Sequence, residues 1–197
     1  MDKENLIQII KSAQRKDTDA FRQLVENYQA YVFSLAFRFV CDEEEAKDIV
    51  QDCFVKVWNH INRFDFKAKF TTWLYKIVYN MSLDKIKVNN RRKAIIINAG
   101  NISELSEKIF SKHPEEDQIN KNLAEIIKVL ADKLTPKQRA VFVLRDLQGV
   151  EMDEISIITS LTKGAVKSNL YYARLNIRKK LEQVENIKNL QNAMSGI

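Results

Sequence analysis

Apolar residues recur every third and fourth position over most of the chain. Phe21, Leu24, Val25, Tyr28, Val32, Leu35, Ala36 and Phe39 trace one face of a helix, with capping side chains on offer at residues 17–19. Ala46, Ile49, Val50, Cys53, Phe54, Val57, Trp58 and Ile61 trace a second. It starts on four consecutive acids, which suit a helix N-terminus, and Asp42 and Glu45 have the spacing of a variant capping box. Its opposite face carries Glu44, Lys47, Asp48, Gln51, Asp52 and Lys56. Phe70, Leu74, Ile77 and Met81 mark a third helix, which Thr71 or Thr72 can cap. Beside that apolar line runs another, Trp73, Lys76, Asn80 and Lys87, and before it lies a short aromatic and lysine loop at residues 64–69.

The rhythm fails over residues 94–117, which read as a linker holding at most a short helix near 106–110. It returns with Leu123, Ile126, Ile127, Leu130 and Leu134, and Thr135-Pro136 restarts a helix that Gly149 ends. A short helix at 153–158, a turn through 159–161 and a helix capped by Thr162 follow. The last carries Val166, Leu170, Ala173, Leu175 and Leu181. Two helices joined by a tight turn read as a helix-turn-helix, with a plain helical hairpin as the alternative. The expectation is an all-α protein of two small helical domains, residues 1–93 and 118–185, joined by a flexible linker and followed by a tail at 186–197. Each domain should own its core and the linker should stay mobile.

Composition agrees with helices, since four Gly and two Pro in 197 residues are too few for a turn-rich β fold. The net charge of +6 leans toward anionic partners, and its placement sharpens the picture. Between residues 63 and 93 nine Lys and Arg face two Asp, and seven of the eighteen aromatic residues fall between 58 and 79. Rings beside cations suit single-stranded nucleic acid, where bases stack and phosphates meet the charge. A core-facing amphipathic helix with a solvated basic side fits the stretch equally well. Six Lys and Arg and no acid lie between 163 and 180, as phosphate contact and groove entry require. The acids at 42–52 allow a magnesium-dependent nuclease in principle, but no second acidic segment closes a cage, so a solvated face is expected. Cys41 and Cys53 make no disulfide framework and, with His60 and His113, no zinc spacing; Cys53 falls on an apolar stripe and is expected to pack. No N-terminal h-region and no membrane-length apolar run are present, so a cytoplasmic protein without cofactor or metal is expected.

Three motifs in order resemble the bacterial extracytoplasmic-function (ECF) sigma factors, the smallest RNA polymerase specificity subunits. Residues 48–54, Asp-Ile-Val-Gln-Asp-Cys-Phe, with Trp58 look like the family's polymerase-binding helix. Residues 70–77, Phe-Thr-Thr-Trp-Leu-Tyr-Lys-Ile, with Asn80 and Asp84 are similar to its promoter-melting segment. Glu154-Ile155-Ser156 with residues 162–168, Thr-Lys-Gly-Ala-Val-Lys-Ser, resemble its −35 helix-turn-helix. The resemblance implies docking of Asp48, Gln51 and Asp52 on core RNA polymerase. It implies −10 DNA contacts by Phe64, Phe66, Lys67, Lys69, Trp73, Lys76, Asn80, Lys87, Arg91 and Arg92, with strand opening at the 64–69 loop. It further implies −35 contacts by Lys163, Lys167, Ser168, Asn169 and Arg174, whereas Val166, Leu170 and Ala173 face inward by their spacing. Implied partners are core polymerase, duplex and single-stranded promoter DNA, and an anti-sigma factor, with no stable homo-oligomer. Two positions depart from the family. Ser160 stands where Gly is usual in the turn, costing about 1 kcal/mol at a positive φ, and the 64–69 loop carries Lys67 and Lys69 without the usual Gly.

Overall fold

The structure is a computed structural model that describes residues 3–98 and 134–195, with side chains described over 4–91 and 134–182. Among the described residues it is helical, with no strand. The first half comprises α1 (Lys3–Gln14), α2 (Thr18–Val40), α3 (Glu43–His60), a 3-10 turn (Ile61–Arg63) and α4 (Phe70–Asn98). The second comprises α5 (Pro136–Phe142), a π turn (Val143–Leu147), α6 (Met152–Thr159) and α7 (Lys163–Ser195). The expected helices near 106–110 and 123–130 lie outside the described residues.

Local chemistry sets most boundaries. Asp17 caps α2 by accepting from the Asp19 and Ala20 backbone, and Asp42 caps α3 by accepting from Glu45 N at 2.9 Å. Thr135 and Gln138 form a reciprocal capping box on α5, with Pro136 in its first turn. Thr162 Oγ1 accepts from Ala165 N at 3.2 Å at the start of α7. Neither Thr71 nor Thr72 caps α4, which begins at Phe70 with Trp73 N donating to the Lys69 carbonyl at 3.2 Å. Helix α1 was not foreseen, although Leu6, Ile9, Ile10 and Ala13 have helical spacing and the last three are buried. It braces the 64–69 loop: Gln14 Nε2 donates to the Ile61 carbonyl at 3.0 Å and the Phe64 carbonyl at 2.7 Å. Both long helices overrun their expected domain ends at 93 and 185, α4 through Asn98 and α7 through Ser195.

In the first half α2, α3 and α4 pack on one another, burying Leu24, Val32, Leu35, Ile49, Cys53, Val57, Leu74 and Val78. In the second, Val141, Leu144, Ile155, Ile158, Val166 and Ala173 are buried. The two sets do not stand apart, and their buried side chains join in one cluster. Phe39 of α2 and Tyr79 of α4 meet Pro136, Arg139 and Ala140 of α5 around one small recess. Arg139 is 7% exposed and its Nη1 donates to the Phe39 carbonyl at 2.6 Å. Helix α6 lies against α4, where Glu154 accepts from Thr72 Oγ1 at 2.8 Å and pairs with Lys69 at 3.1 Å. Burial alone raises the Glu154 carboxyl, but the Thr72 and Lys69 hydrogen bonds outweigh it and hold the group below its ordinary value. The contact therefore contributes fully above the usual carboxylate range and is lost as pH falls through the depressed value.

Cys53 is fully buried on the inner face of α3, and burial pushes its thiol up to about 12. A thiol-reactive chromophore at pH 8 is expected to leave Cys53 unmodified in the folded chain and to reach it only in denaturant, since the thiolate is the nucleophile. Stoichiometric labelling of Cys53 without denaturant would contradict this packing. Among the described residues no helix is long and apolar enough to cross a membrane.

Candidate nucleic-acid interface

The 64–69 loop separates two phenylalanines that the sequence treats alike. Phe64 is only 6% exposed; its ring lies 5.6 Å from Phe70 and 5.6 Å from Trp73. It is the floor of the loop, which corrects the expectation that its ring is available to stack on a base. Phe66 is 39% exposed and leans on Phe64 at 4.9 Å between centroids. Its φ of +61° lies in the left-handed region, which costs a side-chain-bearing residue roughly 1–2 kcal/mol. Such strain persists where the surroundings impose it and is typical of functional segments. Lys67 and Asp65 pair at 2.8 Å, and Asp65 also accepts from the Lys67 backbone at 3.2 Å. Hydrogen bonding from Lys67 lowers the Asp65 carboxyl, and the same pair raises the Lys67 ammonium.

Along α4, Trp73 is half-buried against Phe64 and Phe70, Lys76 is half-buried, and Asn80, Lys87 and Arg91 are exposed. Lys87 pairs with Asp84 at 3.1 Å. The Arg92 side chain lies outside the described residues. On α3, Asp48, Gln51 and Asp52 are exposed opposite the buried stripe. Asp48 is shared with α4, since Lys85 Nζ lies 3.1 Å from its Oδ2. Val55, 56% exposed on the same strip, is an apolar addition that acidic patterning alone did not single out.

The second half forms the expected helix-turn-helix. Ser160 takes φ +56° in the turn between α6 and α7, the case in which Ser costs more than the family's usual Gly. Val166, Leu170 and Ala173 are buried, so α7 turns its other face outward. Lys167 and Ser168 are exposed there, and Lys163 pairs with Asp153 at 2.8 Å. Asn169 is half-buried and donates Nδ2 to the Ala165 carbonyl at 2.8 Å, so its amide is turned back on its own helix. Arg174 makes a bidentate pair with Asp146 of the π turn, at 2.6 and 2.9 Å. Sequence reading missed Tyr171 and Tyr172, 64% and 53% exposed on this helix; their signal was aromatic residues out of phase with the apolar stripe. Lys167, Tyr171, Arg174 and Arg178 line a groove of about 510 Å³ floored by Met152 and Leu170.

These features define an all-helical DNA-reading protein, with a helix-turn-helix in one half and a basic, aromatic-rich helix start in the other. A family model for Sigma-70 region 2 matches residues 24–92, and one for Sigma-70, region 4 matches residues 124–177. ECF RNA polymerase sigma factor SigW of Bacillus subtilis (strain 168) is 30% identical over 179 residues, 89% of this chain and 96% of that protein. ECF RNA polymerase sigma-E factor of Escherichia coli (strain K12) is 29% identical over 178 residues, 88% and 93% of the two chains. Among solved structures, the sigma factor RpoE in complex with the anti-sigma factor NepR from Bartonella quintana superposes with a TM-score of 0.67 at 21% identity, covering 82% of this chain and 96% of that one. CnrH in complex with the cytosolic domain of CnrY gives 0.65 at 23% identity, over 89% and 96%. The chain belongs to the ECF family of RNA polymerase sigma factors. It binds core RNA polymerase and directs promoter-specific initiation by reading −35 duplex and −10 opened-strand elements.

Proposed function

We propose that three surfaces divide the work of initiation. The α3 strip of Asp48, Gln51 and Asp52, with Val55, docks on core polymerase. Phe66, Lys67 and Lys69, with Trp73, Lys76, Asn80, Lys87, Arg91 and Arg92 along α4, capture and hold the opened −10 strand. Lys163, Lys167, Ser168, Asn169 and Arg174, joined by Tyr171, read the −35 duplex. The observation that carries this reading is Phe66: an exposed ring held at a strained backbone, followed by Lys67 and Lys69, just before a basic helix. A ring exposed at that position is available to stack on an unpaired base. The first half, 1–93, acts as the polymerase and −10 module and 118–185 as the −35 module, within the cytoplasm where core polymerase works. An anti-sigma factor is the proposed inhibitor, as RpoE of Bartonella quintana carries one.

Run-off transcription with and without core enzyme, combined with permanganate probing of the promoter, tests the division. A sigma factor directs transcription only with core and binds DNA weakly alone. A helix-turn-helix repressor binds an operator tightly by itself, and a magnesium nuclease cleaves DNA when metal is added. Within the −35 surface, Lys167→Ala is expected to weaken all promoters alike and to reduce the slope of log affinity against log salt by about 0.9, the loss of one phosphate contact. Ser168→Ala is expected to change which −35 bases are preferred, because a hydroxyl reads base edges. Altered sequence preference with an unchanged salt slope for Lys167→Ala would reverse the two roles.

A further inference from the structure

We propose that Glu154, on the first helix of the helix-turn-helix, stands in for a DNA phosphate: in the DNA-free chain its carboxylate occupies Lys69 and holds the −35-reading half closed over the strand-opening segment. This rests on the assignment of Lys69 to the opened strand. Lys69 Nζ lies 3.1 Å from one Glu154 oxygen and 3.2 Å from the other, and Thr72 Oγ1 donates to the first at 2.8 Å. Carboxylate and phosphate oxygens make the same charge-assisted demand on an ammonium, so with both Glu154 oxygens on Lys69 fewer of its three N–H donors, and less of its charge, are left for a strand phosphate. The start of α4 favours either anion through the helix dipole. At the other side of the seam Arg139 donates to the Phe39 carbonyl at 2.6 Å, in the last turn of α2, where carbonyls lack intrahelical partners. The seam is thus closed by an anion at one helix start and a cation at one helix end, both supplied by the second half.

Closure is incompatible with reading a two-part promoter. Elements centred at −35 and −10 are roughly 25 base pairs apart, about 85 Å of duplex at ~3.4 Å per base pair. Helix α6, which leads straight into the DNA-reading α7, touches the first turn of α4. Even the whole of α4, with 29 residues, is only about 44 Å long. One chain reaches both elements only after the halves separate by tens of ångström. That separation breaks the Glu154 contacts and frees Lys69 in the same step, so opening the chain and arming the loop are one event. Polymerase and promoter then favour the open form because only that form satisfies both surfaces.

The test uses the full chain and the variants Glu154→Gln, Thr72→Val and their double, each checked for unchanged helical content by circular dichroism. Small-angle X-ray scattering reads closure without DNA. Anisotropy of a fluorescein-labelled A/T single strand reads access to the loop. A compact wild type, expanded variants and a roughly two- to ten-fold gain in strand affinity for the variants are expected, the scale of one partly exposed charge-assisted contact. Variants as compact as wild type, or a wild type already extended, overturn the proposal. Expansion with no gain in strand affinity, when Lys67→Ala also binds the strand like wild type, supports closure and refutes the strand-capture assignment instead.

Discussion

Reversing Asp48 and Asp52 to lysine is expected to abolish co-purification of the protein with core RNA polymerase while leaving its helical content intact. Both carboxylates point away from the stripe of Ala46, Ile49, Cys53 and Val57 that anchors α3, so the helix does not need them to pack. Asp48 does lose its pair with Lys85 and places a second cation beside it. Pairs as exposed as this one contribute about 0–1 kcal/mol, too little to unfold the bundle. Removing a charge from the desolvated part of an interface costs roughly 2–5 kcal/mol, or about 30- to several thousand-fold in affinity. Asp52→Lys alone isolates that effect, because Asp52 has no ion-pair partner among the described residues. Fluorescence polarisation of labelled protein against core enzyme measures it. Wild-type affinity in the double variant would remove this strip from the polymerase contact.

The second large effect separates the two phenylalanines of the loop. Phe66→Ala is expected to slow promoter opening by roughly ten- to hundred-fold, from about 1–3 kcal/mol of lost base stacking. It should leave the closed complex and the melting temperature close to wild type, since its ring is on the surface. Phe64→Ala should instead destabilise the fold by about 3–5 kcal/mol, because its ring sits among Phe66, Phe70 and Trp73 and leaves a cavity. Permanganate reactivity of promoter thymines reports opening, and thermal denaturation reports stability. Unchanged opening by Phe66→Ala, or a melting temperature that falls as far as for Phe64→Ala, would make Phe66 a structural residue.

The helices, their inward faces and the helix-turn-helix were legible because each is a local pattern. Three- and four-residue periodicity marks the buried stripes of α2, α3, α4 and α7, and single side chains mark the caps at Asp17, Asp42, Thr135 and Thr162. The left-handed backbone at Ser160 was legible only as a condition, through the Gly that the family usually has there. The three motifs also pointed to the family, since their order along the chain survives without coordinates.

The loop at 64–69 has no period, so which phenylalanine faces solvent depends on what lies beneath it. Gln14, fifty positions away, holds the Phe64 carbonyl, and Phe70 and Trp73 accept the Phe64 ring. Likewise, Thr72 reads as a cap from its neighbours yet donates to Glu154, 82 positions on. The pairs Asp48–Lys85, Asp146–Arg174 and Phe39–Arg139 span 37, 28 and 100 positions. Local sequence determined which surfaces are polar, because helical spacing alone turns them outward. Whether each charge is free for polymerase or DNA, or already held by the other half of the chain, was decided only by tertiary packing: that choice depends on distances between segments that no local pattern encodes.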